Sequence, residues 1–147
     1  MRSFKVILSV VLACLLANTV EAATRAGRAV AYSTKFRKST DNTCGITSNT
    51  MDRRFATMYA AVSVDDLPAE SACGKCISIS GVSGTTSRRF NAGVFAKIVD
   101  VKSSISSGEL LLSSKALKVS SGSEGTVSWT VVDCPPSTNL RGRKLSA

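Results

Sequence analysis

The chain contains no histidine, so any proton transfer falls to carboxylates, lysines, tyrosines or thiols. Ser-His-Asp and Cys-His nucleophile systems are thereby excluded, as are zinc sites built on imidazole. Two chemistries stay open. Polysaccharide cleavage would need two carboxylates, one protonated to act as acid and the other several ångströms away to activate water. Thiol chemistry would use Cys73-Gly74-Lys75-Cys76, a CxxC motif. A redox CxxC belongs in a βαβ context, and a structural zinc site needs a second close pair of ligands. Cys44 and Cys134 are far apart and form no such pair, so disulfide anchoring is the expected role. Tyr32 offers a ring for a sugar or a peptide, beside the plainer role of a half-buried strand aromatic.

Residues Met1–Ala22 have the layout of a secretory signal: Arg2 and Lys5 first, an apolar run from Val6 to Leu16, then small residues around Val20-Glu21-Ala22. The expected organisation is a signal peptide over residues 1–22, one domain over 23–135 and a basic, mobile tail over 136–147 that contains Arg141-Gly142-Arg143-Lys144. A length of 147 residues suits one domain. Cleavage after Ala22 removes two cations and one carboxylate, which takes the net charge from +9 to +8. It also removes Cys14 and leaves Cys44, Cys73, Cys76 and Cys134. Four cysteines in a secreted chain read as two disulfides, with three pairings open.

The elements that must position these groups are short strands. Arg28–Tyr32, Ala56–Val64, Cys76–Ile79, Gly93–Val101 and Thr126–Val132 carry apolar or period-two patterns bounded by Gly, Ser and Asn. In the fourth, Val94, Ala96 and Ile98 take one side while Phe95, Lys97 and Val99 take the other. In the last, Val127, Trp129 and Val131 share a face, which makes Trp129 a core residue. Gly81-Val82-Ser83-Gly84 reads as a turn. Ser113-Ser114 can cap a short helix through about Val119, with Leu112, Ala116 and Leu117 facing the core. The sum is an all-β domain with one or two short helices, which fits a closed barrel.

Basic residues come in pairs at Arg37-Lys38, Arg53-Arg54 and Arg88-Arg89, in segments that read as loops. Nucleic-acid binding would want such pairs clustered with aromatics. One Trp, two Tyr and five Phe leave little for an extended stacking surface. Acidic glycans or an acidic protein are the anionic partners expected; no nucleic acid and no membrane partner is expected after signal cleavage.

The order of short motifs resembles the double-psi β-barrels of the barwin, expansin and rare lipoprotein A-like superfamily. Gly27-Arg28-Ala29-Val30-Ala31-Tyr32 is similar to their opening G-x-A-T-x-Y strand, and Thr43-Cys44-Gly45 to their C-G turn. Ala72-Cys73-Gly74-Lys75-Cys76 resembles the central C-G-x-C, and Phe95–Asp100 the V-x-V-x-D strand. Gly108-Glu109-Leu110-Leu111-Leu112-Ser113 stands where that superfamily has G-x-L-D-L-S. Gly125–Trp129 and Val132–Pro135 resemble the closing G-x-V-x-W and V-x-C-P. The likeness runs from Gly27 to Pro135, and the short single-domain form is closest to the small papain-inhibitor-like members.

The resemblance implies a six-stranded double-psi β-barrel with disulfides Cys44–Cys73 and Cys76–Cys134. It also implies a groove lined by Asp100, with Tyr32, Lys102 and Glu109 as further binding candidates. The catalytic acid of the lytic relatives corresponds to Leu111, which cannot transfer a proton. Glu109, two residues earlier, is the nearest substitute. A plainer role for Asp100 is bonding to turn amides. The family's C-P-x-C after this aspartate is absent, so a looser loop is expected over Val101–Ser107. No catalytic residue, cofactor or metal is expected. The expected function is a secreted, monomeric, non-catalytic barrel that binds and inhibits a papain-like cysteine protease through loops such as Lys35–Asn42 and Val101–Ser107. The alternative is expansin-like binding of cell-wall polysaccharide without hydrolysis.

Overall fold

The computed structural model describes residues 23–82, 94–121 and 124–136. The expected signal peptide, residues 137–147 of the basic tail, Arg88-Arg89 and Ser83-Gly84 lie outside the described residues. Six strands form a closed barrel: β1 (Arg25–Tyr32), β2 (Tyr59–Ser63), β3 (Cys76–Val82), β4 (Val94–Lys102), β5 (Leu110–Ser113) and β6 (Gly125–Val132). Their order around the barrel is β1-β5-β2-β4-β3-β6, with β6 closing onto β1. The pairs β1–β5 and β2–β4 are parallel and the others antiparallel. Closure leaves no free sheet edge.

The alternation in the sequence is the alternation of barrel faces. Ala29, Leu110, Val62 and Val101 fall on one register row across β1, β5, β2 and β4, and all four belong to the barrel core. Ile77, Ile79, Val94, Ala96, Ile98, Val127 and Trp129 join that core, as do Leu112 of β5 and Ala116 and Leu117 farther along the chain. Trp129 is fully buried, and its indole Nε1 donates to the Gly108 carbonyl at 2.9 Å. A second apolar cluster forms on the outer face, where Cys76 and Val99 meet Ile46, Met51 and Phe55 from the long β1–β2 connection.

Two short helices decorate the barrel: α1 (Ala69–Ala72) and α2 (Ser114–Ser120). The Ser113 side chain caps α2 by accepting from the Ala116 amide, as Ser and its neighbours do at helix starts. Helix α1 follows Pro68, whose fixed φ suits a helix entry. Some boundaries differ from the sequence reading. The second strand starts at Tyr59 because Arg53–Phe55 form a 3-10 turn, capped by the Asp52 side chain on the Arg54 amide. Gly81 and Val82 belong to β3 rather than to a turn. Val101 and Lys102 belong to β4 rather than to the following loop.

Both disulfides are those implied by the resemblance: Cys44–Cys73 with Cα atoms 5.3 Å apart, and Cys76–Cys134 at 4.9 Å. The two CxxC cysteines therefore have different partners. One ties the β1–β2 connection to the barrel, and the other ties the residues after β6 to β3.

Candidate functional site

Strand β4 contains a bulge. Ala60 of β2 pairs with Ile98, but the next residue, Ala61, pairs with Asp100, so Val99 is extra. Ile98 and Val101 enter the barrel core, while Val99 joins the outer cluster. A bulge of this kind puts two consecutive residues on one side. It turns Asp100 outward, onto the face that carries Tyr32. It also frees the Val99 carbonyl to accept from the Cys44 amide at 3.3 Å.

The Asp100 side chain is only 4% exposed. Its Oδ1 accepts from the Thr43 amide at 2.8 Å, the Thr43 hydroxyl at 2.6 Å and the Val101 amide at 3.0 Å. Its Oδ2 accepts from the Tyr32 hydroxyl at 2.6 Å and pairs with Lys102 Nζ at 3.1 Å. Burial alone would raise the carboxyl pKa, but the hydrogen bonds from Thr43, Tyr32 and Lys102 outweigh it and hold the group below the usual carboxylate range. Burial, and then the bond to Asp100, push the Tyr32 phenol above the usual tyrosine range. An aspartate held in this way carries no proton to donate near neutral pH, and its lone pairs are occupied.

The rings beside this carboxylate meet edge to face. Tyr32 and Tyr59 have centroids 6.1 Å apart at 77°, and Phe36 and Tyr59 are 5.1 Å apart at 85°. Lys102 Nζ lies 5.5 Å from the centre of the Tyr32 ring. No flat surface of coplanar rings results.

Tyr32, Asp100 and Lys102 thus come together, whereas Glu109 does not join them. Its carboxylate accepts from the Ser106 amide at 3.2 Å, within its own turn. Leu111 lies on the same outer row as Val30, Ala61 and Asp100, two strands from the aspartate. Thr43 and Tyr59 belong to the site but were not singled out by the sequence. Thr43 stood inside the quoted Thr43-Cys44-Gly45 turn; nothing local marked Tyr59.

The loop after β4 is pinned rather than loose. Ser63 Oγ donates to the Ile105 carbonyl at 3.0 Å. Asp66 accepts from Ser107 Oγ at 2.6 Å and from the Gly108 amide at 2.7 Å. A hydroxyl at the end of β2 and a carboxylate from the β2–α1 connection thus hold this loop. Among the described residues, no group of three or more Cys, Asp or Glu side chains is placed to hold a metal ion.

Comparison with solved structures places this architecture. An expansin from Clavibacter michiganensis, an Asp-to-Asn mutant in complex with cellohexaose, matches with a TM-score of 0.53 and 22% identity over 78% of this chain. The apo form of that expansin matches with a TM-score of 0.56 and 22% identity over 78% of this chain. A papain inhibitor from Streptomyces matches with a TM-score of 0.51 and 15% identity over 75% of this chain. The chain has the double-psi β-barrel fold. This double-psi barrel spans about half (52%) of the expansin chains it matches and 94% of the inhibitor chain. No family model and no curated protein matches the sequence.

Proposed function

We propose that this double-psi barrel is a secreted, non-catalytic protein that binds and inhibits a papain-like cysteine protease. The observation that carries the reading is the state of the carboxylates on and beside the outer face. Asp100 is buried and saturated, Glu109 is bonded into its own turn, and the position two residues after Glu109, where the resemblance places an acid, is Leu111. That leaves binding, not proton transfer, as the use of the face.

The turn over residues 103–109 supports inhibition in particular. An inhibitory loop loses least entropy on binding when it is already held in shape. Here Ser63, Asp66 and Glu109 fix the turn through hydrogen bonds. Val64, 42% exposed, stands beside it and gives an apolar contact, its amide bonded to the Lys102 carbonyl. Near-complete coverage of the Streptomyces inhibitor agrees with this reading.

A second reading is expansin-like binding of a wall polysaccharide without cleavage. It is favoured by Tyr32 and Lys102 on the outer face and by the likeness to an expansin in complex with cellohexaose. The edge-to-face rings weigh against it, since a sugar chain stacks on a flat surface. Titration of papain with the mature protein, run beside pull-downs on cellulose, chitin and pectin, tests both. Stoichiometric loss of papain activity is expected. Retention on cellulose or chitin with full papain activity would replace the first reading by the second.

A further inference from the structure

We propose that the loop of residues 33–42 is a preformed docking edge for an acidic polysaccharide of the polyuronate type. Its cations are Lys35, Arg37 and Lys38, all exposed. None of the three makes a salt bridge within the described residues, whereas Arg25, Arg28, Arg54, Lys75 and Lys102 each have a carboxylate partner. The one carboxylate of the loop, Asp41, is occupied by the backbone amides of Arg37 and Lys38 at 2.9 and 3.0 Å.

The loop is held at both ends by the same group. Tyr32 just before it and Thr43 just after it are both bonded to Asp100. Between them, the Phe36 carbonyl accepts from the Ser48 amide at 2.8 Å and from Ser48 Oγ at 3.0 Å. Asn42 and Ile46 exchange two bonds at 2.8 and 2.9 Å. The three cations are thus displayed on a fixed backbone, so little chain entropy is lost when they meet an anion array.

Charge alone would suit any polyanion, and the ring decides among them. Phe36, the only aromatic between Lys35 and Arg37, is turned inward onto Tyr59 and into the outer apolar cluster. A protein interface needs a desolvated apolar or aromatic centre inside its charged rim. Single-stranded nucleic acid needs rings on which bases stack. This loop offers neither. A set of three exposed cations without an apolar centre fits a hydrophilic chain whose repeat carries a carboxylate. The inference stands apart from the protease reading argued from the 103–109 turn, because it assigns the 33–42 loop, which the sequence also offered for a protease, to an anionic glycan instead.

The test is retention of the mature protein on immobilised polygalacturonate at about 50 and about 200 mM NaCl, the range over which counterion release changes binding strongly. The variant Lys35→Ser/Arg37→Ser/Lys38→Ser should bind roughly tenfold more weakly at the lower salt and show a clearly shallower salt dependence. A control, Lys115→Ser/Lys118→Ser, removes exposed cations from α2 and should stay within about twofold of wild type, because it leaves Lys35, Arg37 and Lys38 in place. Circular dichroism checks that both variants fold. Equal losses in the two variants, or an unchanged triple variant, would overturn the proposal. So would retention on oligothymidylate or immobilised ovalbumin that matches retention on polygalacturonate.

Discussion

A Cβ placed on Gly27 would lie 2.1 Å from the carbonyl oxygen of Gly108. Strand β1 and the turn before β5 therefore touch backbone to backbone. The contact sits at the start of the parallel β1–β5 pair, beside the bond from Trp129 to Gly108. Gly108 itself has φ +81°, a conformation that side chains disfavour. Gly27→Ala should destabilise the barrel by roughly 3 kcal/mol, because the obstructing atoms are backbone and cannot swing aside. Gly108→Ala should cost about 1–3 kcal/mol through its backbone conformation. Urea unfolding followed by Trp129 fluorescence measures both.

Asp100 should make the fold resistant to acid. Its folded-state pKa lies below the ordinary 3.8, so its contribution is fully present above that value and is lost only as pH falls through the lower, folded value. Asp100→Asn should cost about 3 kcal/mol at neutral pH, since it leaves Lys102 and Tyr32 without their buried acceptor. The gap between variant and wild type should narrow as pH falls below the ordinary carboxylate value and through the lower folded one, as the native carboxylate takes up its proton. Unfolding free energies from neutral pH down to about pH 2 check this; a gap that does not narrow would refute it.

Tyr32 gives the opposite limb. Its folded pKa is raised above the ordinary 10.0, so its stabilising effect holds below that value and drains away as pH rises beyond it. Tyr32→Phe should lose about 1 kcal/mol at neutral pH through one missing hydrogen bond. It should also flatten the loss of stability seen in wild type on the alkaline side.

The disulfides close loops of 29 and 58 positions. Chain-entropy estimates give about 3.6 and about 4.2 kcal/mol for them at 25 °C. Cys76→Ser/Cys134→Ser should therefore unfold at lower urea than Cys44→Ser/Cys73→Ser. Peptide mapping of the unreduced protein should return only the 44–73 and 76–134 links.

Asp66 tests the protease reading. Asp66→Asn keeps the shape of the side chain but weakens its bonds to Ser107 and Gly108 and its ion pair with Arg25. Papain inhibition should weaken by about tenfold if preorganisation of the 103–109 turn matters, with far-UV circular dichroism unchanged. Inhibition equal to wild type would remove this turn from the contact surface.

Much of the barrel is legible in the chain because its causes are local. Period-two alternation marks β4 and β6, since each strand buries one face; Ser113 marks the start of α2, since its hydroxyl satisfies a nearby amide. Strand β5 is harder to read. Leu110-Leu111-Leu112 carries no alternation, yet Leu110 and Leu112 are buried in the core and Leu111 lies on the outer face. Helix α1 is four residues long, too short for a periodic signal. The pinned turn after β4 was unreadable for another reason: Ser63 and Asp66 lie some forty residues before the groups they hold.

The sequence alone determined the absence of imidazole chemistry, the basic charge and the strand pattern, because composition and short-range periodicity need no knowledge of neighbours. Together with the resemblance it also pointed to the disulfide pairing. Only the tertiary structure decided what Asp100 does. Strict alternation through β4 would send Asp100 to the same side as Ile98, into the barrel. The bulge at Val99 reverses that, and it exists because β2 pairs Ala60 with Ile98 but Ala61 with Asp100. Register between strands is set by packing across the barrel, so one extra residue turned a strand-end aspartate into the anchor of Tyr32, Thr43 and the loop between them.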